Sequence, residues 1–180
     1  MKLYKNVDIC DLNSILTNGI LSLDESGNDN WENGKRANNA TDKVYLFKPI
    51  SDENSFPKYG AALVEVEADA VLTKTTDAYE GRYEEYISGK IKPEQIRAVY
   101  IPEIFRSKVT LESDKIKYVG IKANWYDEDN GVHHRAPITP EALQRFADTA
   151  NIECASDFNY FRGVTEKNHM IDLYDIHYEI

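Results

Sequence analysis

The stretch Glu84-Glu85-Tyr86-Ile87-Ser88-Gly89-Lys90-Ile91-Lys92-Pro93-Glu94-Gln95-Ile96-Arg97-Ala98-Val99-Tyr100-Ile101 decides how the rest of the chain is read. Two carboxylates lead an apolar dipeptide, Ser88-Gly89-Lys90 supplies a turn, and Ile96 to Ile101 forms a second apolar run that Pro102 stops. Carboxylates are rarely buried without a partner. A strand opening on Glu84-Glu85 therefore turns one acid toward a cleft, or carries both on a solvent-facing edge. Successive strand residues point to opposite faces, so the two glutamates do not share a role.

Upstream, Lys2-Leu3-Tyr4-Lys5 reads as a short strand and Asp8 to Gly19 as a helix. Ile9, Leu12, Ile15 and Leu16 recur at helical spacing, Asp8 stands where a cap belongs, and Gly19 suits the left-handed residue past the end. From Asp24 to Asp42 the chain is polar, with Trp31 its one large apolar residue, which predicts a long loop serving as a lid, a binding loop or an inert insertion. Val44-Tyr45-Leu46-Phe47 and Ala62-Leu63-Val64-Glu65-Val66-Glu67 are further strands, joined through a loop or single helical turn over Ser51 to Tyr59.

Downstream, a strand pair is expected over Lys115 to Asn124 and a helix over Thr139 to Ala150. Thr139 caps that helix, Pro140 takes its first position, and Leu143, Phe146 and Ala147 form its apolar face. Met170 to Tyr178 alternates strongly and reads as a closing strand. The segment Tyr126 to Arg135, with His133 and His134, reads as a solvated hairpin tip, because adjacent histidines in a strand point to opposite faces and do not share a metal.

At 180 residues and 42% hydrophobic the chain is a single globular domain with a real core. Its 21 basic against 31 acidic side chains leave a net charge of −10, which disfavours nonspecific binding to nucleic acid. Cys10 and Cys154 fit neither a disulfide framework nor zinc-site spacing and read as buried free thiols. Nothing approaches the roughly 18 apolar residues of a membrane span, and no signal-peptide pattern opens the chain, so a cytoplasmic protein is expected. There is no phosphate loop, dinucleotide turn, nucleophile elbow or cluster of metal ligands.

Three segments, in order, resemble the ADP-ribosyltransferase-like superfamily. They are Leu3-Tyr4-Lys5-Asn6 with Leu12 to Ile20, Lys43 to Phe47 leading to Tyr59-Gly60 and Ala62 to Glu67, and Glu85-Tyr86-Ile87 followed by Ile91 to Ile96. The resemblance covers residues 1–105 as a core and leaves 106–180 as a C-terminal α/β extension of one domain. It implies an α+β fold whose split, curved, antiparallel or mixed sheet holds NAD in a cleft. The family's first motif residue, a His or Arg on the adenosine ribose, is Lys5 here, a departure in donor geometry. Its second, flanking the nicotinamide, is Tyr45, and its catalytic glutamate is Glu85.

The resemblance further implies an NAD-dependent mono-ADP-ribosyltransferase of the toxin or anti-defence type, using NAD as substrate and no metal. Nicotinamide departure builds positive charge on the ribose, and a fixed carboxylate stabilises that transition state. A protein target suits the acidic chain better than nucleic acid, since Lys35-Arg36 is the one compact basic pair in the loop, and an antitoxin or host factor is a further expected partner. Lys5, Tyr45 and Glu85 are expected to converge on one cleft, with Glu84 turned to solvent. Two alternatives stand beside this reading: a non-catalytic acidic binding or inhibitory protein on the same fold, and an unrelated α+β domain.

Overall fold

The computed structural model of the chain describes residues 1–26, 42–47, 60–68, 84–127, 132–149, 162–164 and 170–180. Most of the expected long loop, with Lys35 and Arg36, lies outside the described residues, as do Ser51 to Tyr59 and Cys154. The architecture is α+β with few helices and two sheets.

The first strand, β1 (Lys2–Val7), is a central strand and both of its faces are used. Leu3 and Val7 enter the main core, while Tyr4 packs with Leu63 and Tyr178 in a second cluster on the other side. Its neighbours are β2 (Lys43–Phe47) and β3 (Ala62–Glu67), and the sheet is completed by β4 (Glu84–Ser88), β5 (Ile96–Pro102) and β6 (Ile116–Val119) in the order β4-β2-β1-β3-β5-β6. The pairings are antiparallel except β5 with β6, which run parallel.

The expected strand pair over Lys115 to Asn124 does not form as one pair. Two strands are present, but β6 joins the first sheet beside β5, whereas β7 (Ile121–Asp127) passes into a second sheet of order β8-β7-β10-β9. The others in that sheet are β8 (Val132–Pro137), β9 (Arg162–Val164) and β10 (Met170–Tyr178). Gly120 alone separates β6 from β7, so the switch of sheets is made at a single residue. The extension thus contributes a strand to the first sheet and lays Tyr178 against the back of β1.

Helices close the other face. A 3-10 turn over Ile9–Asp11 leads into α1 (Leu12–Asn18), which Gly19 ends at φ +87°. Ile20 and Ile91 then exchange backbone hydrogen bonds at 2.9 Å each, tying the helix exit to the turn after β4. A short α2 (Leu23–Ser26) follows. The later helix, α3 (Pro140–Thr149), is capped as expected, the Ala142 N–H donating to Thr139 Oγ1 at 3.2 Å. Phe146 of α3 meets Phe105, from the 3-10 turn linking β5 to β6, with ring centroids 6.4 Å apart and both side chains fully buried.

Gly60 opens the approach to β3 at φ +139°, where a Cβ would collide with the backbone of Val7. The Asn6 amide donates to its carbonyl at 3.1 Å, so backbone and side chain hold this contact together. Gly60→Ala is expected to cost about 2 kcal/mol or more, the strain of a non-glycine residue in that region plus displacement of β1. Denaturant unfolding checks it, and an unchanged midpoint would mean that β1 yields freely at this point.

Candidate functional site

The residues implied by the resemblance fall on β1, β2 and β4 of the first sheet. The ladder between β1 and β3 holds six residue pairs, from Lys2↔Glu67 to Val7↔Ala62. Between β1 and β2, one pair, Tyr4↔Phe47, is formed among the described residues. Lys5 adds a side-chain tie between the two strands: its Nζ donates to the Tyr45 carbonyl oxygen at 3.1 Å. A lysine on a flexible stem can reach a carbonyl on the neighbouring strand.

Pleat and register place the three expected residues. Lys5 alternates with Leu3 and Val7, on the face of the main core. On β2 that face belongs to Val44 and Leu46, both buried, and Glu85 of β4 stands at the register position opposite Leu46. Lys5 and position 85 therefore lie on one face with β2 between them. Tyr45 does not join them. Its position is paired with position 86 and alternates with 47, which stands opposite Tyr4, so it belongs to the reverse of the sheet. The expected three-way convergence reduces to two positions; what links Lys5 to Tyr45 is the tyrosine's backbone oxygen, not its ring. The side chains of Glu84 and Glu85 lie outside what is described.

A second group of polar residues, which the sequence reading passed over, lies on the reverse face. Glu65 is buried in β3 and receives hydrogen bonds from the hydroxyls of Tyr4 at 3.3 Å and Tyr100 at 2.7 Å, while Lys2 Nζ stands 3.4 Å away. These partners come from the strands on either side, so the carboxylate is satisfied across three strands. Burial, then the charge of Glu65, pushes the Tyr4 phenol well above its usual range, and burial with the Glu65 hydrogen bond pushes Tyr100 up to about 12. Both phenols stay protonated donors at neutral pH, which makes the cluster a structural clamp and not a source of a nucleophilic phenolate. The signal was present in the run Ala62 to Glu67: an acid inside an almost wholly apolar central strand needs donors on neighbouring strands.

A third group sits before α1. Asp8, Cys10 and Asp11 bring potential ligand atoms within 4.8 Å of one another. Cys10, however, is exposed and disulfide-bonded, which corrects the expectation of a buried free thiol. Its separation from the chain's other cysteine hid any pairing from a reading based on spacing. A disulfide sulfur is not a thiolate ligand, so the group reduces to two neighbouring carboxylates. Nor does Asp8 cap the helix: it makes no capping hydrogen bond, and burial, then the charge of Asp11, raises its carboxyl to about 7. Burial raises Asp11 as well.

A scan against protein-family models and searches of curated proteins and of solved structures return no match.

The Asp8 shift predicts a pH dependence. A carboxyl that holds its proton more tightly folded than unfolded adds stability that is fully present below about pH 4 and is lost as the pH rises through about 7. Asp8→Asn removes the charge, so it is expected to flatten this part of the stability profile and to unfold later than the wild type at pH 8. Melting curves from pH 4 to 8 decide the matter; parallel profiles for the two proteins would place the titration elsewhere.

Proposed function

We propose that the chain transfers ADP-ribose from NAD to a macromolecular target, a protein before a nucleic acid, with Glu85 as the acting carboxylate and Lys5 as the cationic donor at the cofactor. What carries the reading is the register that sets Lys5 and position 85 on one face of the sheet, with β2 between them. In the reaction the bond between ribose C1′ and the nicotinamide nitrogen breaks, and its electron pair leaves with nicotinamide. A lone pair on the target attacks C1′, and the target's proton departs. Glu85 opposes the positive charge that builds on the ribose, which favours the transition state over bound NAD. The Tyr45 ring has no role in this scheme, since its strand position belongs to the other face.

One observation favours a second reading, a non-catalytic acidic binding protein on the same fold: the Lys5 ammonium is already engaged by the Tyr45 carbonyl. For NAD to use Lys5, that bond must be exchanged.

Nicotinamide release by the purified protein separates the readings. Turnover is expected in the wild type, with a fall on the order of 10²–10³ in Glu85→Gln, the usual loss when one preorganised electrostatic group is removed, and little change in Glu84→Gln. NAD at about 100 times its dissociation constant is expected to stabilise the fold by about 2.7 kcal/mol. Equal release by wild type and Glu85→Gln would remove Glu85 from the chemistry. Absence of both release and thermal shift at millimolar NAD would leave the binding-protein reading.

A further inference from the structure

In the second sheet, β8 leaves β7 after the pair Asn124↔Pro137, and the Ile138 N–H makes a last tie to the Ala123 carbonyl at 3.0 Å. On the opposite flank β10 stays with β7 through Lys122↔His177 and Ile121↔Tyr178, and the Glu179 N–H donates to the Gly120 carbonyl at 2.9 Å. Bonded and non-bonded pairs alternate along an antiparallel ladder. A bonded Gly120–Glu179 pair makes Ile121–Tyr178 a non-bonded one. The N–H and C=O of Ile121 therefore point away from β10, toward the side that β8 has vacated, where no backbone group among the described residues meets them. That edge opens on a cavity of about 440 Å³, walled mostly by apolar side chains such as Ile121, Ala123, Ile138 and Leu143, with Lys122, Asn124 and His177 also on its lining.

We propose that this notch receives one extended, apolar residue of a partner polypeptide, which pairs its own N–H and C=O with those of Ile121 and seats its side chain in the cavity. A donor and an acceptor on a single edge residue match a peptide unit, whereas a simple anion or cation would leave one of them unused. The predominantly apolar walls favour a side chain such as leucine or phenylalanine, and the single edge residue left open among the described residues limits the added strand to a short one. Lys122 at the rim is offset by Glu179, 3.3 Å away, so the mouth adds no cationic pull of its own. The net charge of −10 then selects basic flanking residues and disfavours a second copy of this acidic chain as the occupant. The notch is independent of the chemistry proposed for Lys5 and Glu85 and stands or falls without it.

The test is an NMR titration of the full chain with N-acetyl-leucine N-methylamide, and with the glycine counterpart as control. Saturable shifts of the Ile121 amide and the Ala123 methyl are expected in the millimolar range with the leucine compound and not with glycine. A pentapeptide with leucine flanked by lysines is expected to bind roughly tenfold tighter at low salt than the same peptide with glutamates. Ile121→Pro deletes the notch-facing N–H without touching a β10 hydrogen bond, and Leu143→Trp fills the cavity while leaving the edge intact. Each is expected to abolish the Ala123 shift, and the second keeps the test valid if the first does not fold. No saturable shift, equal shifts with the glycine compound, or wild-type binding by Leu143→Trp would overturn the proposal. Concentration-dependent dimerisation that reproduces the Ile121 shift would overturn it too, by giving the notch to a second copy.

Discussion

The rest of the structure depends on how β1 is shared. A central strand must satisfy hydrogen bonds on two edges and packing on two faces, and β1 meets these demands unequally. Its edge toward β3 is laddered over six pairs, its edge toward β2 over one pair among the described residues, and the lysine bond to Tyr45 adds a side-chain tie beside it. The first sheet runs as one set of six strands, β4-β2-β1-β3-β5-β6, with β1 between β2 and β3. The face that carries Lys5 and position 85 spans β1, β2 and β4.

Charge inside the fold is handled in two contrasting ways. Glu65 lies in the middle of β3, yet two phenols and a nearby ammonium meet its oxygens, so its burial is compensated at once. Asp8 has no such donor among the described residues and a like charge beside it, and it answers by holding a proton near neutrality. The first arrangement ties three strands together. The second makes the entry to α1 weaker at alkaline pH than at acidic pH.

Much of this was legible in the sequence because it is local. The alternation of Met170 to Tyr178, the apolar run of Ala62 to Glu67 and the Thr139-Pro140 signal at α3 are each read within a few residues, and the corresponding elements form there. What failed was non-local. Residues 115–124 read as a strand pair because two apolar runs are adjacent, but the two strands go to different sheets on either side of Gly120. Asp8 has the chemistry of a cap, but its carboxylate makes no capping hydrogen bond, and which backbone N–H it reaches is fixed only by the folded geometry. Cys10 reads as a free thiol because sequence spacing does not report the oxidation state of a sulfur. At the candidate site, residue types pointed to Lys5, Tyr45 and Glu85, but side-chain direction depends on strand register, and that separated Tyr45 from the other two positions.

The contact between Tyr178 and β1 bears on how the chain comes to be folded. The Tyr178 hydroxyl donates to the Ala61 carbonyl at 2.8 Å, across 117 residues of sequence, and its ring closes over Tyr4 and Leu63. Synthesis runs from the N-terminus, so β1 to β5 can assemble while the segment that covers their reverse face is still unmade. Until Tyr178 emerges, Tyr4 and Leu63 lack the ring that completes their cluster, and the reverse face of the nascent first sheet is less covered. Long-range strand pairing of this kind slows folding and leaves such surfaces open to the wrong partners. Strand β10 is thus a late seal, and a ribosome that stalls while translating it would leave a chain with its sheet formed and its back less covered.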